Sequence, residues 1–364
     1  MSTHSAHKRL PRHGAALSER AGDPLNTNAR KLGTAIGNAG KAFAIPVALY
    51  LILLLLIRER IGSWNSIVTI VVLTVVPTIA AYGLSFGFVS GVMDFSVGSL
   101  MILTGMCASI TGHYFGFLGM LIAAIAVAVI LDLFVGGLFA TLKIPSLVVS
   151  LGALMIFEIL GKLLSVGLGS IAPNVSTGQY IKAPANLTFL GAPPWNFVIL
   201  ILVAVLYHVI YYRTKFSTQA RMVGSDELIA KNIGIKPLRV KFTTFLVGGV
   251  FLGLAAMVSA CYSSAVGYKA EMQSISMVFK PMMAVIIGMS LERFVKMSVG
   301  IFIGSLCISI IFTGIIALGW PDSLQNVILG VFMLIVLAFP TIRSKISDVK
   351  RRRQVHHTFE KAAS

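Results

Sequence analysis

Residues 117–141 read FLGMLIAAIAVAVILDLFVGGLFAT, an almost wholly apolar run whose one charged residue is Asp132. An α-helix needs about 20 consecutive apolar residues to cross the hydrocarbon core of a bilayer. Nine further apolar runs lie at 42–57, 66–90, 96–113, 146–166, 195–212, 240–262, 274–290, 296–318 and 322–340. The sequence therefore predicts an all-α polytopic membrane protein with about ten transmembrane helices.

The composition excludes other classes of protein. Only 12% of the residues are charged, 56% are hydrophobic, and the mean hydropathy is +0.88. A soluble domain carries about 25% charged residues, so this chain has too little polar surface to cover itself in water. A soluble globular enzyme is excluded, and so is a transmembrane β-barrel, because its strands would alternate polar and apolar residues over about ten positions.

The net charge of +17 does not indicate a nucleic-acid partner. Basic residues cluster at the ends of the apolar runs, where membrane topology accounts for them. The three cysteines, Cys107, Cys261 and Cys307, lie within apolar runs and have no CxxC spacing. We therefore expect no disulfide framework, no metal site and no nucleic acid, and a lipid bilayer around the helices.

The basic residues also predict the orientation. With ten crossings, 24 of the 30 Lys and Arg residues fall on the side that holds both termini and the loop 213–241, and six fall on the other side. This excess places both termini in the cytoplasm. We expect a basic, partly disordered cytoplasmic tail at 1–41, retained rather than cleaved as a signal peptide, a transmembrane domain at 42–340, and a second basic cytoplasmic tail at 341–364.

The loop 213–241 is the longest polar interruption between predicted spans. Ser225 or Asp226 can cap a short helix over 227–232, Gly234 can end it, and Pro237 prevents its continuation. Such a helix can dock another protein, and the loop can equally be a solvated connector.

The stretch 83–99, GLSFGFVSGVMDFSVGS, interrupts an apolar run with glycine, serine and Asp94. Glycine permits non-helical backbone, and irregular backbone within a membrane must be buried in protein or line a cavity. We expect a broken or re-entrant segment near 83–97 that serves as a pathway or gate. A tight turn with Asp94 as a helix cap is the alternative.

Four ionisable residues lie in or near the predicted spans: Asp132, Glu158, His208 and Lys280. Because each is costly against lipid, we expect them to face the bundle interior or a partner. For Lys280, beside Pro281, we expect a position at the outer interface with the ammonium group reaching water.

The chain has no G-x-x-x-x-G-K-[ST] phosphate loop, no H-E-x-x-H and no G-x-S-x-G. Energy for transport would therefore come from a gradient or from a separate ATP-hydrolysing subunit.

Several stretches resemble ribose-type ABC importer permeases, the branch shared with branched-chain amino-acid and nucleoside permeases. Residues 91–99, GVMDFSVGS, resemble that family's GGIDLSVGS signature, and 143–152, KIPSLVVSLG, resemble its xIPxFIVTLG segment. Residues 223–235, VGSDELIAKNIGI, resemble VGGNEAAxRxSGI, and 288–291, GMSL, resemble GGTSL. Gln325 and Gly330 fall where the family has Gln and Gly in its last span. The matches run in order over about 65–340.

The resemblance implies a permease of the bacterial cytoplasmic (inner) membrane that pairs with a second permease subunit, a copy of itself or a relative. It also implies a cytoplasmic ABC ATPase, which supplies the ATP and magnesium, and an extracytoplasmic solute-binding protein; this chain itself would hold no cofactor and would not be an enzyme. The expected ATPase-coupling helix comprises Gly224, Ser225, Asp226, Glu227, Ala230 and Gly234. The candidate pathway or gate residues are Gly91, Asp94, Ser96, Gly98, Ser99, Ser150, Gly288 and Ser290.

The expected solute is a monosaccharide or a similar small polar molecule, with a nucleoside or a branched-chain amino acid as alternatives. Leu228-Ile229 replaces the family's Ala-Ala pair, and Glu292-Arg293-Phe294 replaces its glycine-rich stretch. A secondary transporter independent of any ATPase is an alternative from another class, and it would depend on a carboxylate such as Asp132 or Glu158. A membrane scaffold without transport is a third.

Overall fold

The computed structural model describes residues 24–334, apart from 143, 321–323, 326, 329, 332 and 333. Its helices are α1 (Pro24–Leu56), α2 (Arg58–Ile61), α3 (Trp64–Val89), α4 (Val97–Leu142), α5 (Ser146–Ile171), α6 (Trp195–Arg213), α7 (Lys215–Ser225), α8 (Glu227–Asn232), α9 (Pro237–Ser263), α10 (Ser276–Leu291) and α11 (Met297–Ala317). Two short strands, β1 (Tyr180–Lys182) and β2 (Ala265–Gly267), and two 3₁₀ helices, Thr188–Gly191 and Gln273–Ile275, complete the described elements.

Seven stretches within the described residues are helical, long enough and apolar enough to cross a membrane. The longest, α4, contains Gly116 with φ 64° and ψ −153°, which divides it between the predicted runs 96–113 and 117–141. The apolar part of α1, Gly40–Leu56, is shorter than a full span. The chain is a multi-pass helical membrane protein.

The structure describes part of the predicted amino-terminal tail and none of the predicted carboxyl-terminal tail. Helix α1 begins at Pro24, so residues 24–41 of the predicted amino-terminal tail are helical. The tail 341–364 and most of the run 322–340 lie outside the described residues. The prediction of ten crossings therefore rests on the sequence at this end of the chain.

The expected break near 83–97 is narrower in the structure. Helix α3 runs without interruption through Gly83 and Gly87 to Val89, and only residues 90–96 are irregular. A Cβ on Gly83 would lie 2.9 Å from the carbonyl oxygen of Gly248 in α9. Gly83 therefore permits close helix packing, as small residues do between membrane helices, and does not end its helix.

Helices α4 and α9 pack most intimately. A Cβ on Gly249 would lie 2.8 Å from Cα of Val129, and one on Gly253 would lie 2.5 Å from the carbonyl oxygen of Ala124. Because glycine has no side chain, the two backbones approach closely and exclude lipid along this contact. Helices α10 and α11 also approach closely at glycines, since a Cβ on Gly300 would lie 2.9 Å from the carbonyl oxygen of Gly288.

A buried aromatic cluster joins α3, α6 and α9. The rings of Tyr82 and Tyr207 stack with centroids 4.3 Å apart, and Phe86 and Phe251 contact Tyr207 edge to face. The hydroxyl of Ser85 donates to the hydroxyl of Tyr207 at 2.9 Å. This cluster is a rigid part of the core, close to the point where α3 ends.

The end of the bundle opposite the 213–241 loop is closed by connecting segments. Strands β1 and β2 pair antiparallel, with Ile181 opposite Val266, and the ring of His113 hydrogen-bonds the carbonyl oxygen of Lys182 at 3.0 Å. After β2 the chain turns back into the bundle and forms the second 3₁₀ helix, which leads into α10.

Glu158 of α5 fixes this returning segment. Its carboxylate accepts hydrogen bonds from the backbone N–H of Met272 at 2.9 Å and from both the N–H and the hydroxyl of Ser274, at 2.9 and 2.6 Å. A carboxylate with three donors is well compensated for burial. Glu158 is therefore a structural anchor for the start of α10.

Candidate coupling and transport site

The short helix expected in the 213–241 loop is confirmed as α8. Its cap is Asp226 and not Ser225, since Asp226 Oδ1 accepts from the backbone N–H of Leu228 at 2.9 Å and of Ile229 at 3.0 Å. Gly234 follows the helix with φ 87°, a conformation that favours glycine. Ser225 is instead the last residue of α7, which the sequence did not reveal as a separate helix.

Helix α8 presents an apolar surface to its surroundings. Leu228 is 74% exposed and Ile229 and Ile233 are each 61% exposed, whereas Ala230 is buried. Ala230 packs on a small cluster with Ala220, Val223 and Val240. The Glu227 carboxylate accepts from the ammonium group of Lys241 in α9 at 2.6 Å. These contacts hold α8 against α7 and α9, and the three aliphatic side chains remain exposed for contact with a partner.

Gly224, near the end of α7, lies directly against the end of α3. A Cβ at this position would overlap the carbonyl group of Val89 and contact Ser90. The ring of Phe216, in the first turn of α7, lies 5.9 Å from that of Phe86. Helix α7 therefore contacts both the last turn of α3 and the irregular residues after it.

The irregular segment 90–96 carries three of the eight predicted pathway residues, and Gly98 and Ser99 follow in the first turn of α4. Gly91 has φ 79°, and Asp94 Oδ1 accepts from the backbone N–H and the hydroxyl of Ser96, at 2.8 and 2.7 Å. The hydroxyl of Ser99 donates to the carbonyl oxygen of Ser96 at 2.9 Å. The local turn expected at Asp94 is present, and it stabilises the start of α4.

Two glycines from the predicted set lie at tight backbone contacts. A Cβ on Gly98 would overlap the carbonyl oxygen of Ser274, and one on Gly288 would lie 2.9 Å from the backbone nitrogen of Ile301. At Gly98, the start of α4 lies against the returning segment before α10. Gly288 belongs to the contact between α10 and α11.

The two remaining predicted pathway residues lie elsewhere. Ser150 is buried in α5 and its hydroxyl donates to the carbonyl oxygen of Leu147 at 3.0 Å. Ser290 is exposed at the end of α10 and donates to the carbonyl oxygen of Ile286 at 2.9 Å. Helix α5, which carries Ser150, does contact the segment 90–96, since the hydroxyl of Ser146 accepts from the backbone N–H of Met93 at 3.3 Å.

Comparison with known proteins identifies the family. Residues 66–337 match the family model described as the permease component of the branched-chain amino acid transport system. The chain belongs to this permease family. It is a transport permease and not an enzyme.

Curated relatives agree with this family. The permease is 24% identical over 304 residues to the fructose import permease protein of Bifidobacterium longum, covering 80% of this chain and 84% of the relative. It is 26% identical to the galactofuranose transporter permease protein of Escherichia coli over 75% of this chain and 79% of that one. It is 25% identical to the xylose transport system permease protein of Haemophilus influenzae over 73% and 86%. No solved structure matches the permease significantly.

The permease contains a cavity of about 290 Å³ that the sequence did not reveal. It lies between α3, α4, α10 and the described residues beyond α11. Its lining residues are Val76, Pro77, Ala80, Met101, Ser276, Met277, Lys280, Pro281 and Gln325. None of the pathway residues predicted from the sequence lines it.

Lys280 lies beside an aromatic ring in the cavity wall. Its ammonium nitrogen lies 4.4 Å from the centroid of the Phe312 ring, and the residue forms part of the cavity wall. The residue is half-buried, and its position at the outer interface with the ammonium group reaching water stays a prediction. Its position in α10 points it inward towards α11, where an aromatic face accommodates a cation.

A second cavity of about 160 Å³ lies closer to β2. Ser259, Ser263 and Lys269 contribute polar groups to its wall, and it shares Met101 and Met277 with the larger cavity. Two flexible methionine side chains therefore stand where the two cavities adjoin.

Proposed function

We propose that the chain is the membrane permease subunit of an ATP-driven ABC importer for a monosaccharide or a similar small polar solute. Family membership supports the transport role. The relatives named for fructose, galactofuranose and xylose transport support a sugar as the solute. A nucleoside or a branched-chain amino acid is the alternative within the same machinery.

The proposed topology has ten crossings. The seven apolar stretches become eight when α4 is divided at Gly116, and α1 and the run 322–340 would supply the other two. Both termini, with the basic segments 1–41 and 341–364, would then lie in the cytoplasm of a bacterium, and the protein would reside in its cytoplasmic membrane. The excess of Lys and Arg on this side supports that orientation.

The observation that carries the proposal is the geometry of α8. A capped helix with three exposed aliphatic side chains lies next to Gly224, which contacts the end of α3. We propose that α8, with Gly224, Ser225, Asp226, Glu227, Ala230 and Gly234, is the coupling helix that an ABC ATPase engages. ATP and magnesium would bind to that subunit, and a second permease subunit and an extracytoplasmic solute-binding protein would complete the importer.

The contacts suggest how force would pass into the bundle. Closure of the ATPase would push α8 and α7 against Val89 and Ser90, and Phe216 would carry the same motion to the aromatic cluster through Phe86. The irregular segment with Gly91, Asp94 and Ser96, together with Gly98 and Ser99 at the start of α4, would then shift between two arrangements, as interfaces do in alternating access.

The two adjoining cavities are the proposed solute path. A volume of about 290 Å³ is near the lower end of the range for ligand sites, about 300–1,000 Å³, and suits a small solute. Ser276 and Gln325 place polar side chains in its wall, and the Ser276 oxygen, whose hydroxyl donates to the carbonyl oxygen of Gln273 at 3.0 Å, can still accept a hydrogen bond from a sugar hydroxyl. Met101 and Met277 would form the constriction between the cavities. Ser150, Gly288 and Ser290 would act at a distance from this path.

The test combines partner capture with uptake. The tagged full chain is co-expressed with the ABC ATPase encoded beside its gene, and ATPase recovery and solute uptake are measured for the double variant Leu228→Asp/Ile229→Asp. We expect at least a tenfold loss of both, because the exposed aliphatic surface of α8 becomes charged. Lys231→Gln, an exposed change on the same helix, is the matched control and should retain both. Unchanged ATPase recovery in the double variant would refute the coupling assignment.

A secondary transporter is tested separately. The chain alone in proteoliposomes should not accumulate any of a panel of radiolabelled sugars, nucleosides and branched-chain amino acids against a gradient. Uphill accumulation without an ATPase would overturn the proposed function. In the complete importer, the same panel identifies the solute.

A further inference from the structure

Asp94 and Asp132 bring two carboxyl groups together inside the bundle. Asp94 lies in the irregular segment 90–96 and Asp132 in the second half of α4, and both side chains line one small cavity between α3, α4 and α9. Asp132 is only 2% exposed. Neither Asp94 Oδ2 nor Asp132 Oδ1 has a hydrogen-bond partner among the described residues, and both atoms are shielded from solvent.

The surroundings offer no compensating cation. The two carboxyl groups line a cavity of about 20 Å³, and among its described lining residues they are the only titratable groups. Helix α3 contributes Gly83, Leu84 and Gly87, α9 contributes Thr244, Phe245, Gly248 and Leu252, and Val92 and Val97 complete the wall. The one polar neutral side chain is that of Thr244, whose hydroxyl donates to the carbonyl oxygen of Lys241.

Two ionised carboxylates beside one cavity of this size would repel each other strongly. At 4 Å the repulsion is about 4 kcal/mol even with an effective dielectric constant of 20. Carboxyl pairs that share a site relieve it by holding one proton between them. The cavity is large enough for a single water molecule, which needs about 10–15 Å³.

The hydrogen bonds indicate which group carries the proton. Asp94 Oδ1 accepts two hydrogen bonds from Ser96, which stabilise its ionised form. Asp132 receives no such donor, and Asp132 Oδ1 is unpartnered. We propose that Asp94 and Asp132 form a proton-binding site in which neutral Asp132 donates a hydrogen bond to ionised Asp94.

The site also has a mechanical connection, which rests on the proposed function. Asp94 is four residues beyond Ser90, and Ser90 contacts Gly224 at the end of α7. Movement of the coupling segment therefore pulls on the segment that holds Asp94, while Asp132 is fixed in α4. Separation of the two carboxyl groups would release the shared proton, so the shape of the bundle and its protonation are linked.

Infrared spectroscopy tests the proton directly. The full chain in lipid nanodiscs at neutral pH should show the C=O absorption of a buried protonated carboxylic acid. Asp132→Asn should remove this band, and Asp94→Asn should shift it to higher wavenumber, because the acid loses its charged acceptor. Glu158→Gln is the matched control and should leave the band unchanged, since Glu158 is an anchored carboxylate with three donors.

Several results would overturn the assignment. The unmodified chain could lack the band, or the band could persist in Asp132→Asn. The band could also disappear when choline is replaced by sodium at constant pH, and that result would make the site a sodium site. If Asp132→Asn fails to fold, titration of the unmodified chain to alkaline pH replaces it and should remove the band.

Gly224→Ala tests the mechanical connection, and we expect it to shift the same band; an unchanged band would refute the connection alone. These readouts need no ATPase, so failure of the coupling experiment leaves them interpretable.

Discussion

Glu158 and Asp132 are both buried acidic residues, and their environments give them different roles. Three donors surround the carboxylate of Glu158, so its charge is compensated where it lies. Asp132 shares a small cavity with Asp94, and the described residues that line this cavity include no cation. Residue type alone made both of them candidates for the carboxylate that a secondary transporter would depend on, and only their hydrogen-bond partners distinguish an anchor from a proton site.

Glu158→Ala should destabilise the protein by about 2–3 kcal/mol, because charge-assisted hydrogen bonds are lost and buried donors are left unsatisfied. Thermal unfolding of the full chain in detergent measures the effect. Glu158→Gln, which retains an acceptor oxygen, should cost less. Equal stability of Glu158→Ala and the unmodified chain would contradict the anchoring role.

Gly224→Ala tests the contact between α7 and α3. The added Cβ overlaps the carbonyl group of Val89, so backbone must shift, and overpacking of this kind costs about 1–3 kcal/mol. We expect uptake to fall at least tenfold. Gly137→Ala is the matched control, because a Cβ at Gly137 meets nothing within 4 Å. Normal uptake by Gly224→Ala would show that this contact transmits no motion.

At the scale of elements, α8 depends on its cap, since an isolated helix of this length is not stable in water. Asp226→Ala removes the acceptor for the N–H groups of Leu228 and Ile229, at a cost of about 1 kcal/mol. Binding of the ATPase should weaken about fivefold, as 1.4 kcal/mol is tenfold. Titration of the purified subunits measures this, and Asp226→Asn should retain most of the affinity. Equal loss with Asn and Ala would exclude capping as the cause.

The helices themselves were largely predictable from the sequence, because apolar runs long enough to span a bilayer have few alternative structures. The exceptions have specific causes. Gly83 and Gly87 suggested a break, but α3 continues through both, and Gly83 packs closely on Gly248. Conversely, α7 was not distinguished from its surroundings, since its eleven residues carry no long apolar run.

At the scale of the whole molecule, the proposed orientation is tested by labelling with a membrane-impermeant maleimide. Ser63→Cys and Thr177→Cys should react in intact cells, and Lys231→Cys only after permeabilisation, because positions 63 and 177 would face outwards and 231 the cytoplasm. All three positions are exposed, whereas Cys261 and Cys307 are buried. Labelling of Lys231→Cys in intact cells would reverse the orientation.

The candidate site was predictable where it is local in sequence. Asp226, Leu228 and Gly234 lie within one short loop, so capping rules locate α8. The larger cavity unites residues of α3, α4 and α10 with Gln325, and no spacing in the sequence brings these together. Lys280 illustrates the difference, since its neighbour Pro281 gave no sign that Phe312 would lie beneath its ammonium group.

The sequence by itself determined that the chain is a multi-pass helical membrane protein, and its motifs indicated the permease family and the short helix in the 213–241 loop. These depend on local properties, namely the length of apolar runs, the order of short signatures and hydrogen bonds between near neighbours. The tertiary structure alone decided that Asp94 meets Asp132, that Glu158 anchors the start of α10, that Gly224 abuts α3, and where the cavities lie. Such contacts join distant parts of the chain, and they arise only when the helices pack.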